Sequence, residues 1–548
     1  MLYAKINVKS NHFLFLTSLE SPLHKGGAEG VWKYRWLPLD SASNNKRIAK
    51  NTILLYFRMF VMMAVGLFTS RVILDALGAS DYGIYNVVGG LVTMFSVLTG
   101  AMSVATSRFL TFALGVGDRE QLRKTFVTAV NIHLLIAAAM IVIAEVAGIW
   151  FLNNKLNIPA ERMGAANIVL QFSIATFVIN LINVPYTSSI ISHERMGIYA
   201  YFTLYDVFVK LLIVYALYVS PIDRLVIYAL LLCLANLTTQ IIYWIYCKRK
   251  FEECRYSFCM DKTLLKKMFG FIGWAFWGNA AVVAKDQGMT LLLNIFCGTL
   301  VNAAQGVANQ VNAMVNRFVT NFMTAVEPQI TKQYAAGEYD SMNKLIIRST
   351  KFSAFLMLLL IVPIIVNIDD LLGLWLVEVP LHTSSFVSLI LFYSFVDCFT
   401  TGLITGILAN GKIKIYEIAL TIIYAVNIAC AYVILKLGMS PEALYGLLIF
   451  FKVIVFITQL ILGRKMFSLP LDVYIRSMLR YVLPVLALGI ILIFIPWHLF
   501  ENIIVRMASS VVIVETILLS SVMLIGLECN ERAFVYNKVK EITKKIKK

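Results

Sequence analysis

The segment GVGDREQLRK, residues 115–124, has a counterpart 220 residues further on, AAGEYDSMNK at 335–344. Glycine, acid and lysine coincide at Gly117/Gly337, Asp118/Glu338 and Lys124/Lys344, and the same shift lays Gly78 on Gly298. A shift of 217 lays SHERMGIY (192–199) on ANGKIKIY (409–416). Self-similarity at a fixed period marks a structural repeat. The repeating unit is therefore large, and its make-up can be read from composition.

The 548 residues are 59% hydrophobic and 14% charged, with a mean hydropathy of +0.78. A soluble domain is about 45–50% apolar and roughly 25% charged. The apolar runs reach the ~20 residues needed to cross a bilayer. Fourteen candidate spans have cores near 50–74, 83–109, 126–151, 165–190, 199–219, 224–247, 268–296, 300–326, 352–376, 384–410, 414–436, 442–463, 479–500 and 504–527. Each repeat then holds six spans, and both begin on the same side, which makes the repeat parallel, with its axis along the membrane normal. The expected fold is an all-α polytopic membrane protein of about 14 transmembrane helices: two six-helix lobes related by a parallel repeat, plus two C-terminal helices. The expected divisions are a disordered or mis-started leader (1–45), an N-terminal lobe (46–250), a C-terminal lobe (251–465), two added helices (466–528) and a basic tail (529–548).

The formal net charge of +17 sits in the short connections between spans. Arg119, Arg123 and Lys124, then Lys262, Lys266 and Lys267, then Arg464 and Lys465 fall on one side, with the tail KVKEITKKIKK. Positive charge marks cytoplasmic loops, so both termini are expected to be cytoplasmic. Spread this way, it does not indicate a nucleic-acid partner.

The eight cysteines are scattered, and no histidine stands at metal-ligand spacing from them; they read as reduced thiols. No GxxxxGK[ST] loop, HExxH or Ser/His/Asp pattern is present. The reading is of a protein that is not an enzyme, with no cofactor, metal or catalytic residue assigned.

The informative residues are charges inside the spans, each costing about 2.5–3.5 kcal/mol on insertion scales. In NAAVVAKDQGMTLLLN (279–294), Lys285 and Asp286 fall near mid-bilayer. As helix neighbours they point about 100° apart, so they are not expected to face one direction. Lys285 reads either as facing a cavity, where it contacts an anionic substrate or carries part of a proton relay, or, with Asp286, as a structural pair with polar groups on adjacent helices. Asn302, Gln305, Asn309, Asn312 and Asn316 recur at spacings of three and four, placing five carboxamides on one helical face, with Arg317 next. That face reads either as a wet wall for sugar hydroxyls or as interhelical polar glue. Arg58 and Arg71 lie in the first span, and Asp206 and Lys210, four apart, form a candidate ion pair. Glu145, Asp397, Lys452 and Glu515 stand alone in other spans, and Lys452 and Glu515, at similar depth, are a candidate pair. With the first span of each half lining a central cleft, Arg58, Arg71, Lys285 and Arg317 make that cleft cationic and suited to a pyrophosphate headgroup.

The stretch 45–92 carries the pattern LG-x-x-x-YG-x-Y as Leu77, Gly78, Tyr82, Gly83 and Tyr85, and 301–338 reads VNAAQGVANQVNAMVNRFVTNFMTAVEPQITKQYAAGE. Both resemble polysaccharide-biosynthesis membrane proteins, the Wzx-like oligosaccharide-lipid flippases of the multidrug/oligosaccharidyl-lipid/polysaccharide exporter (MATE-like) superfamily. The resemblance covers about 46–527. It implies a multi-pass bacterial inner-membrane protein that moves an undecaprenyl-pyrophosphate-linked glycan between leaflets by alternating access, for surface polysaccharide biosynthesis. Its partners would be that glycan, the lipid bilayer, and a glycan polymerase or other assembly proteins. The family's cationic lumen maps onto Arg58, Lys285 and Arg317. The alternatives are an ion-coupled multidrug antiporter of the same superfamily and a membrane glycan polymerase or scaffold.

Overall fold

The computed structural model describes residues 41–93, 95–155, 158–219, 223–255, 261–376, 378–497, 501–533 and 536. Most of the leader and the end of the basic tail lie outside the described residues. The chain divides into two compact units, Met1–Lys46 and Arg47–Lys548. The helices belong to the second unit, apart from the opening residues of the first helix, which begins just before it.

The described residues are helical throughout, with no strand. The helices are α1 (Ser41–Thr93), α2 (Ser96–Val116), α3 (Arg119–Ile143), α4 (Ile149–Lys155), α5 (Met163–Ser192), α6 (Met196–Val219), α7 (Arg224–Lys250) and α8 (Lys262–Ala335). They continue with α9 (Tyr339–Val366), α10 (Ile368–Trp375), α11 (Thr383–Asn410), α12 (Lys414–Lys436), α13 (Pro441–Phe467), α14 (Leu471–Ser477), α15 (Leu483–Phe494) and α16 (Ile503–Ser521). A π-helical turn, Met478–Val482, joins α14 to α15.

Helix ends follow local chemistry. Asp118 caps α3 by accepting from Gln121 N at 3.0 Å, and Asp261 caps α8 by accepting from Thr263 N and Leu264 N at 2.9 and 3.0 Å. Each satisfies amides that have no partner within the helix. At the start of α7, Asp223 takes Leu225 N at 3.0 Å and also binds Arg162, whose hydrogen bond holds the Asp223 carboxyl below the usual carboxylate range.

Among the described residues, eleven helical stretches are long and apolar enough to cross a membrane, in keeping with a multi-pass membrane protein. The difference from fourteen lies in spans 1, 7 and 8, which belong to α1 and α8. Each of these two helices is broken at one glycine, Gly78 (φ 77°, ψ 163°) and Gly298 (φ 83°, ψ 179°). That backbone region is open essentially to glycine alone, so the chain can turn there without a loop. The breaks are 220 residues apart, and Gly117 and Gly337, also 220 apart, both take left-handed conformations.

Within the C-terminal half, α8 packs on α9, α11 and α12, and α11 on α13, while α15 and α16 lie against α9. Most of their buried apolar side chains form one cluster running from Ala304 to Leu527, with a smaller one around Met289, Leu293 and Leu435. In the N-terminal half α5 packs on α2, α3 and α7, and the core is divided among smaller clusters.

The halves join along α2 and the first part of α8, where Ala101, Met102, Met268 and Phe271 share one apolar cluster, and where the C-terminal ends of α2, α5, α8 and α11 meet. Arg108 of α2 donates to Leu408 O (3.3 Å) and Ala409 O (2.9 Å) at the end of α11. Its guanidinium lies over the rings of Phe109 and Phe112 and so close to Gly411 that a Cβ there would fall 2.6 Å from it. On the opposite flank Glu194, after α5, accepts from Gln329 Nε2 (2.5 Å) and Lys332 Nζ (2.6 Å) of α8. The Glu194 side chain is 1% exposed. Under the 217 shift Glu194 falls on Gly411, and both are left-handed, with φ of 58° and 84°. The joint is thus built twice, once by each half, with different chemistry. Between the two, α2 and α8 come so close that a Cβ on Gly115 would lie 2.7 Å from Ala335 Cβ.

Candidate functional site

A cavity of about 510 Å³ opens within the C-terminal half, between α8, α11, α12 and α13. From α8 it receives Lys285 and Asp286 before the Gly298 break, and Gln305, Asn309 and Asn312 after it. The break is what lets one helix present both sets to one space. Lys285 is buried and reaches Asp286 Oδ1 at 2.7 Å, a contact the long lysine stem makes despite the 100° between neighbours. Its ammonium also lies 5.4 Å and 5.5 Å from the ring centres of Tyr393 and Tyr424, within cation–π range. Asp286 stays 60% exposed.

On the opposite wall the Lys452 ammonium, from α13, is buried against Asp397 of α11. Asp397 is held in turn by Thr400 Oγ1 at 2.7 Å. The pairing of Lys452 with Glu515 expected from depth alone is therefore corrected. Depth is legible in a sequence but helix adjacency is not, and α13 neighbours α11.

Glu417, near the start of α12, lies directly over Gly278, where a Cβ would come within 1.8 Å of its Oε2. Gly278→Ala is expected to swing the Glu417 carboxylate aside at a stability cost of about 1 kcal/mol, since only the end of a flexible side chain must move. Thermal unfolding in one detergent checks it: a loss several times larger would show that backbone, and not the Glu417 carboxylate alone, must shift.

The acidic and basic side chains lining this cavity are two lysines and three carboxylates: Lys285, Lys452, Asp286, Asp397 and Glu417. This cavity thus carries both signs of charge. Three buried polar atoms on the wall, Gln305 Oε1, Gln459 Oε1 and Tyr445 Oη, have no hydrogen-bond partner. Buried polar groups are normally satisfied, so the site has unused capacity for a polar guest.

The remaining sequence candidates scatter. Asn316 donates to Asn312 Oδ1 (2.9 Å) and Ser394 Oγ (3.0 Å), holding α8 to α11 rather than lining the cavity. Arg317 is exposed and lies outside the cavity. It shares a helical face with Gln310, Thr320 and Glu327, all exposed. Arg58 donates to Asn321 Oδ1 at 3.0 Å and stacks on Tyr199, so it ties α1 to α8 and α6. Arg71 is on α1, and its side chain lies outside the described residues. Arg58, Lys285 and Arg317 are not gathered in one place, because α8 turns Lys285 and Arg317 toward different surroundings.

The N-terminal half has a cavity of its own, of about 560 Å³. Tyr85, Gly89 and Val92 line it where Gln305, Asn309 and Asn312 line the first, at the 220 shift. Ser173, Thr176, Asn180 and Tyr228 match Ile390, Tyr393, Asp397 and Tyr445 at the 217 shift. The two cavities are repeat-equivalent, but ion-pair chemistry differs. In the N-terminal cavity it is reduced to Lys210, whose Nζ holds Asp206 Oδ2 at 2.7 Å.

No family model matches the sequence, and no curated protein matches it either. Solved structures do match in fold. An outward-facing multidrug resistance MATE family transporter of the MOP superfamily superposes with a TM-score of 0.68 at 13% identity, covering 78% of this chain and 96% of that one. A MATE protein in complex with MaD3S gives 0.66 at 14% identity, with 78% and 96% covered. A MOP superfamily transporter from Pyrococcus furiosus, whose binding pocket of reverse polarity suggests a different function for it, gives 0.64 at 13% identity, with 77% and 96% covered. At these identities the likeness is one of fold, and the chain has the fold of MATE-type transporters of the MOP superfamily.

Proposed function

We propose that the protein is a flippase that carries an undecaprenyl-pyrophosphate-linked oligosaccharide across a bacterial inner membrane by alternating access, for surface polysaccharide assembly. The observation that carries this reading is the C-terminal cavity. Lys285 and Lys452 stand there among tyrosines and carboxamides, beside three polar atoms without partners. Ammonium groups suit phosphate oxygens, and aromatic faces with amides suit sugar rings and hydroxyls. Each lysine shares its charge with a carboxylate, so an arriving anion would compete with Asp286 and Asp397 and be released again.

A second reading, an ion-coupled multidrug antiporter, is favoured by one observation, the carboxylates Asp286, Asp397 and Glu417 in the same cavity. The two part on what accumulates when the protein is missing. Mass spectrometry of polyprenyl-linked glycans from cells lacking it is expected to show a complete lipid-linked oligosaccharide that wild type clears. Lys285→Gln should clear it at least about tenfold more slowly, the value of one charged hydrogen bond. No accumulation, with greater sensitivity to cationic drugs, would overturn the flippase reading in favour of the antiporter.

A further inference from the structure

A third recess, of about 410 Å³, lies away from both cavities, at the end of the molecule where the halves are joined. Four cations converge on it from two elements. Lys344 and Arg348 stand one turn apart on α9, and Arg476 and Arg480 stand four residues apart on α14 and the π-helical turn. Ser477 and Glu528 also line it.

Glu528, which lines the recess, and its neighbour Glu531 are already engaged. Lys351, fully buried, takes Glu531 Oε2 at 2.6 Å and Glu528 Oε1 at 3.4 Å. Arg348 Nε stands 3.7 Å from Glu531 Oε1. Among the described residues Lys344, Arg476 and Arg480 have no carboxylate partner. Ser477 is 9% exposed and its hydroxyl has no hydrogen-bond partner. Like charges gathered around a buried, unused hydroxyl call for an anion that accepts several hydrogen bonds at once, and a phosphate group does so.

The wall next to the cations shows what the phosphate is attached to. Outside the recess, Leu479 beside Arg480 and Leu483 at the start of α15 are 57% and 49% exposed, and Leu524 and Ile525, in the π-helical turn Val522–Gly526 that follows α16 and precedes Glu528, are 68% and 47% exposed. A free phosphate would use none of them, whereas acyl chains would cover them all. We infer that this recess binds the phosphate headgroup of an anionic membrane lipid, with its chains lying along α15 and the end of α16. Basic recesses between membrane helices are suited to this task.

The test uses the full chain in a neutral detergent, titrated separately with phosphatidylglycerol, phosphatidylcholine, inorganic phosphate and pyrophosphate. Retained lipid is counted by native mass spectrometry, and thermal unfolding is followed in parallel. Wild type is expected to retain phosphatidylglycerol at least about tenfold better than phosphatidylcholine, the scale of one charged hydrogen bond. Arg476→Gln/Arg480→Gln should lose that preference, and Lys248→Gln/Arg249→Gln, on an exposed stretch elsewhere, should keep it. Ser477→Ala, a small change that leaves the fold intact, should weaken retention about threefold. Equal retention of the two lipids by wild type, or an undiminished preference in both Arg476→Gln/Arg480→Gln and Ser477→Ala, would overturn the site. Inorganic phosphate or pyrophosphate raising the unfolding temperature as much as phosphatidylglycerol does would make the ligand a free phosphate and overturn the lipid.

Discussion

Asp397→Asn is expected to destabilise the protein by about 3 kcal/mol, the low end for breaking a buried ion pair. The low end applies because Asp397 is 37% exposed on the cavity side. Most of the cost falls on its partner. Lys452 is 9% exposed, and without the carboxylate its ammonium is left facing Tyr393. Lys452→Met should cost less, since it leaves behind a charge that already has water and Thr400. The double variant Asp397→Asn/Lys452→Met should recover much of the loss, because no buried charge then remains. Thermal unfolding of the four proteins in one detergent closes this cycle. Additive losses in the double variant would mean that the two side chains do not depend on each other.

Glu194→Gln is expected to loosen the joint between the halves by about 2 kcal/mol, or roughly thirtyfold in the local opening equilibrium. The carboxylate is 1% exposed and accepts from Gln329 and Lys332, so its charge is used in full. Glutamine keeps the shape and loses the charge. Hydrogen exchange should accelerate in Leu110–Val116 and Ala325–Ala335, which meet at this joint, and stay unchanged along α13. Exchange within about twofold of wild type at both ends would show that Arg108 and the Gly115–Ala335 contact hold the halves without Glu194.

The sequence is most informative about what is periodic. Hydropathy marks the helices, and the 220 shift locates Gly78 and Gly298, where α1 and α8 break. The carboxamide spacing on α8 places Gln305, Asn309 and Asn312 together on the cavity wall. Which helices are neighbours is not legible. Depth alone matches Lys452 to Glu515, yet Lys452 meets Asp397, because pairing across helices depends on packing that leaves no local period. Glu417 sits in an ordinary amphipathic stretch and gains its place only because Gly278 has no side chain. Charge and proximity in sequence group Arg317 with Lys285, but the two point to different surroundings.

The paired cavities give this chain an internal control. Each cavity wall has a twin made by the same backbone, so a side chain retained in both copies serves shape, and one that differs serves chemistry. Tyr228 and Tyr445 are the same residue at matched positions, which assigns the ring itself to architecture, while the unpartnered Tyr445 hydroxyl stays part of the site. Asn180 and Asp397, Val92 and Asn312, Tyr85 and Gln305 are not the same, and each difference adds polarity or charge to one copy alone. A single molecule thus contains its own two-member comparison, in which one cavity keeps the plan with a single ion pair and the other keeps the plan and carries two.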